Sequence, residues 1–311
     1  MTKEAIHMLI AVDTGNAAIK SMNTTFPTGL TTSSVCPSFA DDVIKYNNEY
    51  YVLVDDRNIP YKYDKTQDDT FFVLSLFAIA KELRLSNMTG HVIIDLAVGL
   101  PLEHYEALKQ KTLDYYNRGH VSFVYNNEVF NIQINRILVK PQALSAVVVE
   151  AQELLRLPTV FIVDIGGYTT DIALLRNGKI SMEYCRSLDM GTIALGNSIA
   201  AKANSLYNIA VRNDHIQAVL QRRDSLLPES VKDIIHKEVA NYAKSTVDKL
   251  RELQIDLRTD PVVFLGGGAL MLKPHLDSDP RIAQARFITD PKANAIGYYT
   301  LGARELTRQS V

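Results

Sequence analysis

The ten residues AVDTGNAAIK (11–20) return in form at 162–171 as IVDIGGYTTD. Val12 falls on Val163, Asp13 on Asp164 and Gly15 on Gly166. Each copy is an apolar run, an acid, one residue, a glycine and then a second run. Such a pattern reads as strand, tight turn, strand. A chain that begins the same unit twice is predicted to hold two domains of one topology, whose two turns face one another across a cleft. Its 311 residues suit two domains, each able to bury a core.

The remaining pattern fills in these halves. VIKYNNEYYVLV and VSFVYNNEVFNIQINRILVK are apolar runs broken by Asn47-Asn48 and Asn126-Asn127, and Asn177-Gly178 does the same in the second half. These pairs tolerate positive φ and predict hairpins. DDTFFVLSLFAIAKELRLS is predicted helical, with Asp68 or Asp69 as cap and an apolar face through Phe72, Leu76 and Ala80. PLEHYEALKQKTLDYYN reads as an amphipathic helix, and PQALSAVVVEAQELLRL as a helix starting at Pro141. GTIALGNSIAAKANSLYN, PESVKDIIHKEVANYAKSTVDKLRELQ and DPKANAIGYYTLGARELT are also predicted helical, and PVVFLGGGALML is a strand, three glycines and a helix start.

Bulk properties exclude little but point one way. With 47% hydrophobic and 22% charged residues and a net charge of -2, the composition suits a soluble globular protein. It gives no general pull toward nucleic acid or anionic membrane. Cys36 and Cys185 lack metal-type spacing and predict free thiols in a reducing compartment. The start MTKEAIHMLIAVDTG reaches Asp13 too soon for a signal peptide, and no run of about 18 apolar residues predicts a membrane span.

The paired turns carry the chemistry. Glycines after a strand let backbone N–H groups approach an anion with no Cβ in the way. A carboxylate at such a turn repels phosphate unless a cation comes with it. Magnesium is held by one or two carboxylates together with phosphate oxygens and water. Asp13 and Asp164 are therefore candidates to bind it through water. The alternative is that each acid bonds its own turn backbone. Lys20 takes the slot of Asp171 and is a candidate for the β- or γ-phosphate. By strand alternation only one of Thr169 and Thr170 faces the ligand.

IAVDTGNAAIK, VDIGGYTTDIALL and VVFLGGGALML together resemble the phosphate-1, phosphate-2 and adenosine motifs of the actin, sugar-kinase and heat-shock-chaperone ATPase fold. VCPSFA, LAVGLPLEHY and KPQALSAVVVEAQ are similar to plasmid-segregation actins of the ParM type. The resemblance runs from Leu9 to about Arg304. It implies an α/β protein with the actin-like ATPase fold, two duplicated ribonuclease-H-like domains around a nucleotide cleft. The first would span 1–158, with a closing helix at 292–311 returning to it, and the second 159–291. It implies a filament-forming ATPase using ATP, or GTP, with Mg²⁺, in the bacterial cytoplasm. Its partners would be other copies of itself and a centromere-binding adaptor of the ParR type, with plasmid DNA engaged only indirectly and no membrane. Carried over by position, Asp13, Gly15, Asn16 and Lys20 form the first phosphate loop, and Asp164, Gly166, Gly167, Tyr168 and Thr169 the second. Gly266, Gly267 and Gly268 lie against the adenosine. Gln142 falls in the first interdomain helix and orients the attacking water, where many relatives carry glutamate. A glutamine positions water without acting as a strong base. Glu238, Lys244 and Asp248 occupy the helix that contacts the nucleoside, and a solvent-facing Lys244–Asp248 pair explains two of them equally well. Ala293 and Gly297 are small enough to cross closely with the helix near Ala143 and Ala146.

A small-molecule kinase of the sugar-kinase type on the same fold is the alternative, with Asp171 as the nearest candidate base. A regulatory ATPase of the cell-division or chaperone type would need a peptide-binding domain or a membrane-targeting helix, and no such segment is legible.

Overall fold

A computed structural model describes residues 6–309 apart from 39, 56–57 and 89. The chain divides into two compact units, Met1–Glu150 with Asp290–Val311, and Ala151–Thr289.

The first unit opens with β1 (Ile6–Thr14), β2 (Ala18–Lys20), β3 (Thr25–Pro27), β4 (Leu30–Ser33), β5 (Val43–Tyr46) and β6 (Glu49–Leu53). Then come α1 (Thr70–Leu85), β7 (Gly90–Leu100), α2 (Tyr105–Tyr116), β8 (His120–Tyr125), β9 (Glu128–Pro141) and α3 (Leu144–Glu150). Its sheet runs β3-β2-β1-β7-β9-β8-β5-β6-β4, with β1, β7 and β9 parallel. Both expected asparagine hairpins form. Asn47 and Asn48 have φ of 48° and 64°, and Asn126 and Asn127 have 47° and 67°. They close Tyr46 on Glu49 and Tyr125 on Glu128.

Two predicted helices differ from the reading above. The first, α1, is buried on every side from Phe71 to Ala80, not along one stripe. A helix apolar all round belongs in a core, and α1 packs among Phe26, Tyr115 and Tyr125 in the main cluster. Its single buried acid, Glu82, accepts from the Ser21 hydroxyl (2.5 Å), the Asn23 N–H (2.8 Å) and the Asn23 amide (2.7 Å). The β2–β3 turn is thereby tied to α1. The second difference concerns Pro141, which ends β9 and does not begin a helix. Gln142 continues the strand pairing through its N–H to the Leu100 carbonyl (2.8 Å). Ala143 then takes φ +62°, and α3 begins only at Leu144. Gln142 thus sits in the turn before the helix, a correction to its expected place. The Asn294 side chain holds the strained turn by accepting from the Ala143 N–H (2.9 Å).

The second unit holds β10 (Thr159–Ile165), β11 (Thr170–Arg176), β12 (Lys179–Leu188), α4 (Thr192–Tyr207), α5 (Asn213–Leu220), α6 (Glu229–Glu252), β13 (Val262–Leu265), α7 (Gly266–Asp277) and β14 (Ala285–Phe287). Its sheet runs β12-β11-β10-β13-β14. Three antiparallel strands are followed by two parallel ones. The stretch β3-β2-β1-β7-β9 of the first unit has the same order and the same directions. The repeat read in the sequence is a repeat of topology.

The last helix, α8 (Ala293–Gln309), covers β1, β7 and β9 through Tyr298, packed on Ala11, Ala97 and Leu138. It crosses α3 as closely as the small residues predicted. A Cβ on Gly297 would lie 2.4 Å from the Ser145 carbonyl carbon and 2.8 Å from the Ala146 nitrogen. Among the described residues, no helix is long and apolar enough to cross a membrane.

Candidate functional site

The first turn hangs from β1, whose Ile10, Ala11 and Val12 are buried and fix where Asp13 emerges. Asp13 is 4% exposed and faces Lys20 across the β1–β2 hairpin. The Lys20 ammonium donates to Asp13 Oδ2 at 3.2 Å. Gly15 follows, and a Cβ there would lie 2.6 Å from the Ala18 carbonyl, so only glycine fits. The Thr28 hydroxyl holds the Gly15 carbonyl (2.7 Å), and the Thr28 N–H holds that of Ala17 (3.1 Å). Asn16, between them, has a buried side-chain oxygen with no partner among the described residues. A buried acceptor left unmade is costly, and it lies in the loop proposed to meet a ligand. Sequence reasoning missed Lys65, whose ammonium donates to the Thr14 carbonyl at the same turn. No motif surrounds it, because it arrives from a connection distant in sequence. Burial pushes the nearby Tyr116 phenol up to about 12, against hydrogen bonds with Ser75 and Thr14.

The second turn is built the same way on β10. The Gly166 N–H donates to the Thr169 carbonyl (2.8 Å) and closes it. The carbonyls of Gly166 and Gly167 accept from the Thr192 and Ile193 N–H groups (3.1 and 2.9 Å) at the start of α4. The free donors of that helix end are thus used to fix the turn. Gly191 makes the approach possible, since a Cβ there would lie 2.2 Å from the Gly167 carbonyl oxygen. Sequence reasoning missed this glycine; the signal was a glycine directly before a helix start. Thr170 is buried and its hydroxyl donates to the Met190 carbonyl (2.6 Å). That leaves Thr169, half-buried in the turn beside Tyr168, with its hydroxyl 3.5 Å from Asp171 Oδ2.

The two hairpins differ at one register position. In the first unit Asp13 pairs across the strands with Lys20; in the second, Asp164 pairs with Asp171. Residues directly opposite share a face, and like charges there repel. Asp164 is 3% exposed. Asp171 is steadied by the Ser187 hydroxyl at 2.5 Å. A hairpin carrying two carboxylates on one face suits a cation at that face. Its oxygen-only donor set fits Mg²⁺ chemistry. No cluster of three or more His, Cys, Asp or Glu that could hold a metal ion occurs among the described residues.

The three glycines divide by role. β13 pairs with β10 and brings Leu265 level with Asp164. Gly266 has φ +87°, and a Cβ there would lie 2.4 Å from Asp164 Oδ1. A Cβ on Gly268 would lie 2.3 Å from Ile165 Cγ2. Packing explains both. A Cβ on Gly267 would meet nothing within 4 Å, so packing within the protein does not explain that glycine. On α6, Lys244 is exposed and Glu238 takes Lys202 (2.6 Å). Asp248 pairs with Arg281, not with Lys244. The Lys244–Asp248 pair, the alternative to nucleoside contact, does not form; an arginine from outside the helix reaches the acid.

Each unit therefore carries a glycine turn with an acid at the end of the middle strand of its repeated five-strand portion. That is the actin-like ATPase fold. Residues 11–144 match the family described as "Actin like proteins N terminal domain", and residues 162–278 match "Archaeal actin homologue MreB-like, C-terminal". Both units thus match models of actin-like proteins. Among solved structures it is similar to the archaeal actin homologue Ta0583, at 17% identity over 95% of this chain and 99% of that one, with a TM-score of 0.77. That homologue is also known in complex with ADP. A ParM from Clostridium botulinum, seen in a 15-stranded filament, is 21% identical over 95% of this chain and 99% of its own (TM-score 0.74). A Bacillus thuringiensis ParM with ATP is 16% identical over 98% and 100% (TM-score 0.73). No curated protein matches the chain in sequence.

Proposed function

We propose that this protein is a ParM-type filament-forming ATPase, which binds ATP, or GTP, with Mg²⁺ and couples hydrolysis to polymer turnover. In this reading it moves plasmid DNA through a centromere-binding adaptor of the ParR type. The observation that carries it is the repeated turn, with Asp13 and Asp164 each near the end of the middle strand of the repeated five-strand portion. Each turn is a phosphate-binding turn in this reading. Gly15, Asn16, Gly166, Gly167, Tyr168 and Thr169 present backbone and hydroxyl donors to the phosphates. Lys20 leaves Asp13 for a phosphate oxygen, as a point charge. Asp13 and Asp164 would hold Mg²⁺ through water, and the ion would supply neutralisation of phosphate charge. Gln142 orients the attacking water without deprotonating it. Gly266, Gly267 and Gly268, with Lys244, line the nucleoside. Filament growth needs a head-to-tail interface that does not close, and the filaments among its structural neighbours support self-association.

The test is light scattering and ultracentrifugal pelleting with Mg-ATP and with Mg-GTP, followed by electron microscopy. Polymer should form with nucleotide and disassemble as phosphate is released. Asp164→Ala should lose hydrolysis far more than nucleotide binding. A protein that turns over ATP while remaining monomeric at high concentration would point instead to a small-molecule kinase.

A further inference from the structure

A groove of about 710 Å³ lies on the first unit between α2, the end of β9 and the last turns of α8. It includes none of the residues assigned to either phosphate turn. Its apolar lining comes from Leu113, Ile137, Val139 and Leu301. Around this lining stand Lys109 on α2, Lys140 on β9, and Arg304 and Arg308 on α8. Glu305 is the one carboxylate in the lining, and Lys140 already takes it. Lys109 lies over the Tyr105 ring at 5.4 Å. Lys109, Arg304 and Arg308 form no ion pair among the described residues. The chain as a whole has a net charge of -2, so this concentration of cations is local.

We propose that the groove docks an acidic amphipathic helix of a partner protein. Apolar knobs on such a helix would enter between α2 and α8, in the helix-in-groove manner. Arg304 and Arg308 stand one helical turn apart on the same face. Acids spaced one turn apart on an incoming helix match that interval, while Lys109 meets the opposite flank. Three cations without an ion pair among the described residues repel one another across the trough, and a negative face relieves that repulsion. The groove and its occupant are defined without nucleotide, so this inference is independent of the function proposed above.

The probe is a fluorescein-labelled 16-residue peptide of leucine and glutamate, patterned with one apolar and one acidic face. Anisotropy with the full chain, without nucleotide, should show saturable binding that weakens as salt rises. The double variant Arg304→Glu/Arg308→Glu should weaken binding at least about tenfold, as should replacing the peptide leucines by alanine. Lys109→Glu, on the other wall, should do the same. Hydrogen exchange with bound peptide should slow at residues 105–113 and 301–309. Circular dichroism checks that the variants, all at exposed positions, remain folded. Undiminished binding by the folded variants would overturn the proposal. So would equal binding of the leucine-free peptide, which would mean general charge attraction. Protection confined to other segments would also refute it. Loss of nucleotide-driven pelleting in the double variant, with no peptide bound by the wild type, would make the groove a contact between copies and defeat it as well.

Discussion

Substituting alanine at each of the three consecutive glycines tests the division between packing and ligand contact. At Gly266 the added Cβ meets Asp164 Oδ1 at 2.4 Å and the Ile165 carbonyl at 2.6 Å, at a φ of +87°. Backbone strain of about 1–3 kcal/mol adds to overpacking of about 1–3 kcal/mol. Gly266→Ala should lose about 2–6 kcal/mol of stability, the sum of those two ranges. Gly268→Ala lacks the φ penalty but meets Ile165 Cγ2 at 2.3 Å and Thr192 Cγ2 at 2.8 Å. Its loss should be about 1–3 kcal/mol. Gly267→Ala meets open space in the first turn of α7. Removing glycine from a helix should stabilise by about 0.5–1 kcal/mol. If the nucleotide lies against that glycine, the same methyl must push it aside. A clash of about 1–3 kcal/mol corresponds to roughly 5- to 150-fold weaker binding. Gly267→Ala is then both more stable and a poorer binder. Urea unfolding followed by circular dichroism and titration with a fluorescent ATP analogue separate the two readouts. Wild-type affinity in Gly267→Ala would refute the ligand contact, and wild-type stability in Gly266→Ala would refute the packing argument.

Two further outcomes follow from buried carboxylates. Burial pushes Asp95 up, but hydrogen bonds from Arg136 and Asn135, with His7 alongside, hold it below the ordinary carboxylate value. Its folded pKa lies below its unfolded one, so its contribution is complete above about pH 4 and is lost as pH falls further. Asp95→Asn should therefore cost about 1.5–3 kcal/mol at neutral pH, since the Arg136 and His7 side chains left behind reach solvent, with the gap to wild type narrowing in urea melts below about pH 4. A gap that widens with acid would reverse the sign of the argument. Glu82→Ala removes the acceptor that ties Ser21 and Asn23 to α1, and with Thr24 and water left to take those donors the loss should be about 1–2 kcal/mol. Because β2 carries Lys20, nucleotide affinity should fall along with the urea midpoint; unchanged values in both would show that the anchor is dispensable.

Much of the fold was legible because its cues were local. Asn-Asn pairs at two hairpins and Asn177-Gly178 at a third are residues that accept positive φ, and each turned where expected, with Asn177 at 50° and Gly178 at 73°. The repeated strand, acid and glycine marked both central hairpins. The misread start of α3 was not local. Proline opens helices often enough to make Pro141 persuasive. What places Pro141 in a strand is pairing with β7 and an alanine forced to φ +62° under Asn294, neither visible in KPQALSAV. Gly191 was missed because its partner, the Gly167 carbonyl, is 24 residues away in sequence. The cross-strand contrast of Asp13–Lys20 with Asp164–Asp171 was half seen. The slots were aligned, but only the register shows that the second acid faces the first across one hairpin.

The packing of α8 on β1, β7 and β9 bears on how the chain is made. The second unit is contiguous, from Ala151 to Thr289, and all its strands and helices are synthesised before α8. The first unit, begun earlier, cannot cover Ala11, Ala97 and Leu138 until Tyr298 arrives. Domains commonly fold as units in the order of synthesis; here the half that starts first is completed last. Through most of translation a strip of the nine-stranded sheet stays bare, and a nascent chain stalled before residue 293 would present that strip to chaperones.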